Sequence, residues 1–246
     1  MKMKLLKVDP YALWNHVKKH PWIVALELLV IAFGLFVTFV PQAHPIGFRD
    51  RITFHYYSNV QLMCVCFSRA SAFGMYVPII SVFITKCKAL MNWVRNTPIK
   101  LWFGLDRFDE HEFHVLCGKI IAVDTFTHAF FHMLRWGLQG YIYLVYSHLT
   151  GVTGLIGVIS ILMISIPMTF LRDQIRYEIR KAMHYMFFPF GIVLALHAPA
   201  DVAFVAYVLS FVIILYFLDS AFVWLFMTEH VKDTKFTVLD CGLQIT

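Results

Sequence analysis

Six apolar stretches, each near the length a helix needs to cross a bilayer, limit the folds open to this chain more than any single motif does. A crossing takes about 17–25 mostly apolar residues. Trp22–Val40, Val60–Thr85, Phe113–Leu134, Val152–Leu171, Ala182–Ala198 and Val202–Met227 each supply that length. With 59% of its 246 residues hydrophobic and a mean hydropathy of +0.68, the chain is far more apolar than a soluble domain of its size. The expected fold is an all-α membrane protein of six transmembrane helices over residues 21–228. A cytoplasmic interfacial segment over 1–20 precedes them and a cytoplasmic tail over 229–246 follows.

Basic residues set the orientation. Lys2, Lys4, Lys7, Lys18 and Lys19 precede the first span; Lys86, Lys88, Arg95, Lys100 and Arg107 follow the second; Arg172, Arg176, Arg180 and Lys181 lie between the fourth and fifth. These fall on one side, which the positive-inside rule makes cytoplasmic, together with both termini. The opposite connections carry Arg49, Arg51 and Arg135. The net charge of +6 is thus accounted for by topology and anionic lipid, and no nucleic-acid partner is implied. The first apolar run reads as the first span, so a cleavable signal peptide is not expected. Five cysteines, Cys64, Cys66, Cys87, Cys117 and Cys241, lie in or beside spans or in the tail and suggest no disulfide framework.

The third span, "FHVLCGKIIAVDTFTHAFFHMLRW" from Phe113, carries three histidines, a lysine and an aspartate. Polar groups at such depth are costly and call for a reason. His114 and His128 are 14 residues apart, which on a helix returns to within roughly 40° of the same face after a rise of about 21 Å. His184 and His197 in the fifth span are 13 apart, which on an ideal helix misses the shared face by roughly 140°. Pro189 lies between them, and a proline permits a kink or unwinding that restores the register.

Spans three and five run in the same direction, each with a histidine near either leaflet. That arrangement suits two stacked bis-histidine haems, His114 with His184 on the cytoplasmic side and His128 with His197 on the outer side. Gly118, Gly191 and Ala195 are the small residues that would let a porphyrin approach the backbone. A histidine that merely hydrogen-bonds a neighbouring helix and a proton relay are the alternatives; neither accounts for the paired spacing.

Several blocks in order, "RASAFG" from Arg69, "CKALMNWVRNTP" from Cys87, "FDEHEFHVLCGKIIAVDTFTHAFFH" from Phe108, "HLTGVTGLIGVI" from His148, "IRYEIRKAMHYMFFPFGIVLALHAP" from Ile175 and "LYFLDSAFVWLF" from Leu215, resemble the transmembrane NADPH oxidase and ferric reductase family. The resemblance runs from about residue 60 to the C-terminus, and its strongest element is the pair of histidine spacings. It implies a ferric-reductase-like bundle that carries electrons outward, from cytoplasmic NADPH through FAD and two b-type haems (haem b) to an outer acceptor, with the plasma membrane as its setting. His114, His128, His184 and His197 match the family's axial iron ligands. Arg69 and His132 match the pair beside the outer haem where the oxidases reduce oxygen to superoxide. Phe190 matches an aromatic residue between the haems, and Lys88 and Arg95 match basic positions at and beyond the inner end of span two.

Physical reasoning meets these roles at two points. Arg69 is the only charge in span two, so either a haem propionate pairs with it or it snorkels to the interface. His132 lies one turn after His128 on the same face and either donates to reduced oxygen or caps the helix.

Three features depart from the family pattern. Lys119 and Asp124 place opposite charges inside span three; an ion pair between them is the expectation, with Asp124 accepting from His128 as the alternative. The outer connection between spans five and six is only about "APAD", which would leave a haem edge open to a ferric chelate as well as to oxygen. After span six, "EHVKDTKFTVLDCGLQIT" has the alternation of a strand from Lys235, where the family begins its flavin-binding barrel, and no glycine-rich nucleotide loop occurs in the chain. FAD and NADPH are therefore expected on a missing domain or on a partner flavoprotein dehydrogenase.

The function expected is that of an NADPH oxidase-like electron wire, with a ferric-chelate reductase, a haem-free membrane scaffold or accessory subunit, and a proton-coupled transporter as the other readings.

Overall fold

A computed structural model describes residues 18, 21–39, 57–98, 110–197, 205–228, 236–239 and 242–245. The interfacial segment expected over 1–20, Lys18 apart, the loop arginines Arg49 and Arg51, the basic residues Lys100 and Arg107, and the "APAD" connection lie outside the described residues. Ten helices are described: α1 (Pro21–Phe39), α2 (Asn59–Gly74), α3 (Tyr76–Ile84), α4 (Lys88–Arg95), α5 (Glu110–Leu138), α6 (Leu144–Ser147), α7 (Leu149–Ser165), α8 (Tyr177–His184), α9 (Phe187–His197) and α10 (Val205–Phe226). A π-helical turn at Ile166–Phe170 extends α7.

Five of these bodies are long and apolar enough to cross a membrane: α1, α2 with α3, α7 with its π-helical turn, α8 with α9, and α10. Their outward faces carry large apolar side chains, such as Leu29 at 65% and Phe211 at 66% exposure, which in water would be a liability and against lipid chains is the expected surface. The fold is thus that of an all-α membrane protein. α5 is long enough as well, at 29 residues, but Glu110, Glu112, Lys119, Asp124 and Arg135 make it less apolar than the other five.

Three of the expected spans are interrupted, and each interruption follows from a proline. Proline has no N–H to offer the carbonyl four residues earlier and its ring crowds that carbonyl. Pro78 leaves Gly74 without that donor, and the helix breaks at Met75 between α2 and α3. Pro167 opens the π-helical turn, where Leu171 N–H reaches back to the Ile166 carbonyl at 3.1 Å. Pro189 deprives Tyr185, and α8 stops at His184, with the Phe188 N–H turning back to Tyr185 at 3.1 Å. Span two, expected as one helix over Val60–Thr85, is therefore two helical segments, α2 and α3, that together make one span over Asn59–Ile84.

Packing converges on α5. Met75, Ile79, Ile121, Ile161 and Leu209 form one core, flanked by Phe190, Leu194 and Ile213, so that residues of α3, α5, α7, α9 and α10 meet at one level. Ile23, Val77, Phe113 and Cys117 form a second core joining α1, α3 and α5. Gly34 admits the Phe73 ring, which a Cβ there would strike, and this sets how closely α1 lies on α2.

The Lys119–Asp124 ion pair expected from the sequence does not form. Five residues apart, the two side chains leave α5 on different faces. Lys119 is exposed, while an Asp124 carboxylate oxygen lies 3.0 Å from the position a Cβ on Gly74 would take. Arg135, expected in an outer loop, instead ends α5 as a buried residue. The tail also differs from a single strand: Phe236–Leu239 (β1) pairs antiparallel with Gly242–Ile245 (β2), Phe236 opposite Ile245.

One polar contact fixes the short amphipathic α4. The buried Asp219 of α10 accepts from the Leu90 N–H at 2.8 Å and the Ala89 N–H at 3.3 Å, serving as a cap supplied by another helix. Burial, and then the Asp219 carboxylate, pushes the neighbouring Cys87 thiol up to about 11, which keeps it protonated. Asp219→Ala removes both acceptors, and a loss of about 1–3 kcal/mol is expected; thermal unfolding of the detergent-solubilised protein, with Asp219→Asn retaining part of the stability, checks it.

Candidate functional site

The polar groups of α5 are met by histidines from α8 and α9. The break before Pro189 divides the fifth span, so His184 at the end of α8 and His197 at the end of α9 no longer obey one helical register. Both turn toward α5. The His114 and His184 ring centroids are 6.2 Å apart, and those of His128 and His197 are 5.8 Å apart.

These separations have a chemical meaning. Two imidazoles bonded through Nε2 to opposite sides of one metal ion, at about 2.0–2.1 Å each and with roughly 1.2 Å from nitrogen to ring centre, place their centroids about 6.4–6.6 Å apart. Both pairs lie close to that spacing without touching.

The other ring nitrogens are engaged. His128 Nδ1–H donates to the Ser68 carbonyl of α2 at 2.7 Å. His114 Nδ1 lies 3.3 Å from both the Val82 carbonyl and Thr85 Oγ1. Thr153 Oγ1 donates to the Leu149 carbonyl at 2.7 Å, so its lone pair accepts from His197 Nδ1–H at 3.1 Å. A carbonyl can only accept, so in the uncharged rings the proton sits on Nδ1 and Nε2 keeps its lone pair. Such outer contacts are what hold a metal-ligating imidazole in its tautomer and orientation. His184 Nδ1 is buried and has no hydrogen-bond partner among the described residues.

Space is available at the His128–His197 level. A cavity of about 1270 Å³ is lined by His128, His132, His197, Arg69, Phe190 and Gly157, among others, larger than most small-molecule pockets. A Cβ on Gly154 would come within 3.0 Å of the His197 ring, so glycine is what allows that ring to lie on α7. At the other level a Cβ on Gly118 would meet nothing within 4 Å, leaving open room beside His114. Phe190 packs on the core containing Ile121, which stands midway in sequence between His114 and His128.

Among the described residues no cluster of three or more His, Cys, Asp or Glu side chains is placed to hold a bare metal ion. Two facing imidazoles suit instead a metal that brings its own equatorial ligands, as iron does in a porphyrin. The donor set and the cavity fit haem b at the His128–His197 level; at the His114–His184 level the two facing imidazoles are the matching feature.

His132 stacks edge-on to His128 with centroids 4.6 Å apart and lies 5.6 Å from the Trp136 ring. Arg135 Nη2 donates to its Nδ1 at 3.3 Å. Arg69 reaches the same cavity from α2. The alternative in which Asp124 accepts from His128 is excluded, because the Ser68 carbonyl holds that nitrogen. Sequence reasoning passed over Thr153 and Gly154 and took Arg135 for a loop residue; the first two stand in the glycine- and threonine-rich "HLTGVTG" block, whereas the Ser68 and Val82 contacts use main-chain carbonyls and leave no side-chain signal.

A search with protein-family profiles finds none that matches the chain, and a comparison with curated proteins finds no significant relative.

Thr153→Val keeps the shape of the side chain and removes the acceptor of His197 Nδ1–H. Retention of a metal-centred group on the His128–His197 side is expected to weaken about 10–100-fold, with the His114–His184 side unaffected; competition for the bound group by an excess of an external acceptor protein measures it.

Proposed function

We propose that this chain is the membrane wire of an electron-transfer oxidoreductase, carrying electrons one at a time through two haem b groups from a cytoplasmic flavin or NADPH donor to an acceptor on the outer side, oxygen in the first instance. The observation that carries the reading is the pair of facing imidazole couples, 6.2 and 5.8 Å between centroids, with three of the four Nδ1 atoms tied to neighbouring groups. α5 serves as the sixth span: its 29 residues rise about 43 Å, and His114, His128 and His132 turn toward neighbouring helices. The likeness to the NADPH oxidase and ferric reductase family supports the same reading from the sequence side.

In this reading His114 and His184 hold the inner group and His128 and His197 the outer one. Haem b supplies a one-electron iron couple when bound, and its potential is set by ligands and surroundings. The Val82 and Ser68 carbonyls and the Thr153 hydroxyl raise the basicity of the imidazoles they hold and fix their planes. Phe190 and Ile121 fill the layer between the two levels and exclude water from it. Arg69 and His132 stand at the far end. With Arg135 donating to its Nδ1, an uncharged His132 carries its proton on Nε2 and is a hydrogen-bond donor. Together with the Arg69 guanidinium it stabilises negative charge developing on a small acceptor.

A ferric-chelate reductase is the second reading, favoured by the breadth of the cavity. A haem-free scaffold would retain the fold without the spectrum, and a proton-coupled transporter would show substrate-dependent currents instead.

Reduced-minus-oxidised absorbance of the purified chain, with haem-to-protein stoichiometry, is the deciding measurement. Two low-spin haems per chain are expected; none would remove the proposal. His114→Ala or His184→Ala should abolish the inner haem, and His128→Ala or His197→Ala the outer. Two haems persisting in all four variants would refute the assignment.

Arg69→Ala and His132→Ala should slow reoxidation of the dithionite-reduced protein by oxygen at least tenfold, and reoxidation by a ferric chelate much less. Stopped-flow absorbance resolves the two; an equal slowing would indicate a changed potential, and none with oxygen would favour the ferric reductase.

A further inference from the structure

His148 holds no place in the facing histidine pairs, yet it stands where two helices meet. It closes α6, its N–H donating to the Leu144 carbonyl at 3.2 Å, and in extended backbone it opens α7 as the N-cap. There its Nδ1 accepts from the Thr150 N–H at 3.3 Å. The first N–H groups of a helix have no partner within it, and the side chains that commonly serve them are Ser, Thr, Asp and Asn. An exposed histidine in that place differs from those four in taking up a proton near neutral pH.

A backbone N–H can only donate, so the bond requires Nδ1 to keep its lone pair and the ring to be uncharged, with its proton on Nε2. An imidazolium has no acceptor to offer and sets a positive charge at the positive end of the helix dipole. The cap is therefore present while the ring is uncharged and is lost as pH falls through the range in which histidine protonates.

The turn held by this bond is also the seat of His197. Thr153 Oγ1 donates to the Leu149 carbonyl at 2.7 Å and lies 3.3 Å from the Thr150 carbonyl. That leaves its lone pair for His197 Nδ1–H, 3.1 Å away. A Cβ on Gly151 would strike the Leu144 carbonyl and the Val145 backbone, so the same turn is set tightly against α6. A chain of contacts thus runs from an exposed ring, through one turn of α7, to the imidazole that faces His128.

The titratable and charged side chains around His148 are Tyr143 and Tyr146 at the α6 corner and, around the cavity it helps line, Tyr57, Arg69, His132, Arg135, Tyr141 and His197. None of the described residues lining that cavity is Asp or Glu, so no carboxylate there offers the imidazolium a replacement partner. Tyrosine and arginine keep their charge through the neutral range, which leaves His132 and His197 as the groups a control must separate from His148.

We propose that His148 is an acid-sensitive positioning residue for the His128–His197 level. Uncharged, it caps α7 and keeps Thr153 in place to hold the His197 ring; protonated, it releases the first turn of α7 and that ring with it. The link to a bound group deepens the two-haem reading and rests on it.

The test compares wild type, His148→Asn and His148→Ala as purified chain between about pH 8 and 5.5, the range in which histidine titrates. Asparagine caps a helix without titrating there, and alanine does not cap. Amide hydrogen exchange over residues 149–154, corrected for the intrinsic pH dependence of exchange, reads the cap whether or not a group is bound. Protection in the wild type should fall about fivefold on acidification, the worth of a typical N-cap bond. It should stay high in His148→Asn and low in His148→Ala at both ends of the range. Transfer of haem from the His128–His197 level to an external acceptor protein should quicken by about the same factor in acidified wild type relative to His148→Asn at the same pH, a comparison that cancels the titration of His132 and His197. The His114–His184 level should not change.

Protection that does not vary with pH in the wild type would overturn the proposal, and so would an acid loss that persists in His148→Asn, since another group would then be responsible. A fall in protection with no faster loss of the outer haem would overturn the link to His197. A wild type without haem would remove the two-haem reading, while the exchange measurement would still decide the cap.

Discussion

The 2.7 Å hydrogen bond from His128 Nδ1 to the Ser68 carbonyl joins the most polar helix of the bundle to the helix it lies along, and the geometry on that side follows from it. Inside a membrane an unsatisfied imidazole N–H has no water to turn to, so the bond fixes the rotation of α5 against α2. That rotation in turn sets the His128 ring facing His197 of α9, places His132 and Arg135 in the same cavity, and leaves Asp124 against Gly74. The Thr153 hydroxyl does for α9 and α7 what the Ser68 carbonyl does for α5 and α2. In the two-haem reading, the bonds that hold these helices together would also orient the imidazoles as ligands.

The long helices were legible because membrane burial imposes a length and a composition that a sequence cannot disguise. The facing of His114 with His184 and of His128 with His197 was legible for a different reason. A spacing of 14 on α5 sets two depths, and the matching depths on the fifth span leave one pairing. Their interruptions were less so. Pro189 was read as a place where register could change, yet Pro78 and Pro167, which act by the same loss of an N–H, were passed over because their spans are apolar enough to read as continuous.

The misreadings share a cause. Lys119 and Asp124 are close in sequence and opposite in charge, but five residues of helix separate their directions, and Asp124 finds its surroundings on α1 and α2. Arg135 was assigned to a loop because an arginine marks the usual edge of an apolar run, whereas α5 continues for three residues more to Leu138. The carbonyls of Ser68 and Val82 belong to no residue type, so their roles exist only once the helices have packed.

The break between α8 and α9 makes the two helices that carry the histidines mechanically unlike. α5 is a continuous rod, a ruler that holds two depths at a constant interval. The facing segment is jointed, so the short arm bearing His184 and the arm bearing His197 can each be re-aimed by a change of a few backbone angles near Tyr185 without dragging the other along. Substitutions around that joint could therefore tune one level at a time, while any lengthening or shortening of α5 between His114 and His128 would misalign both levels at once.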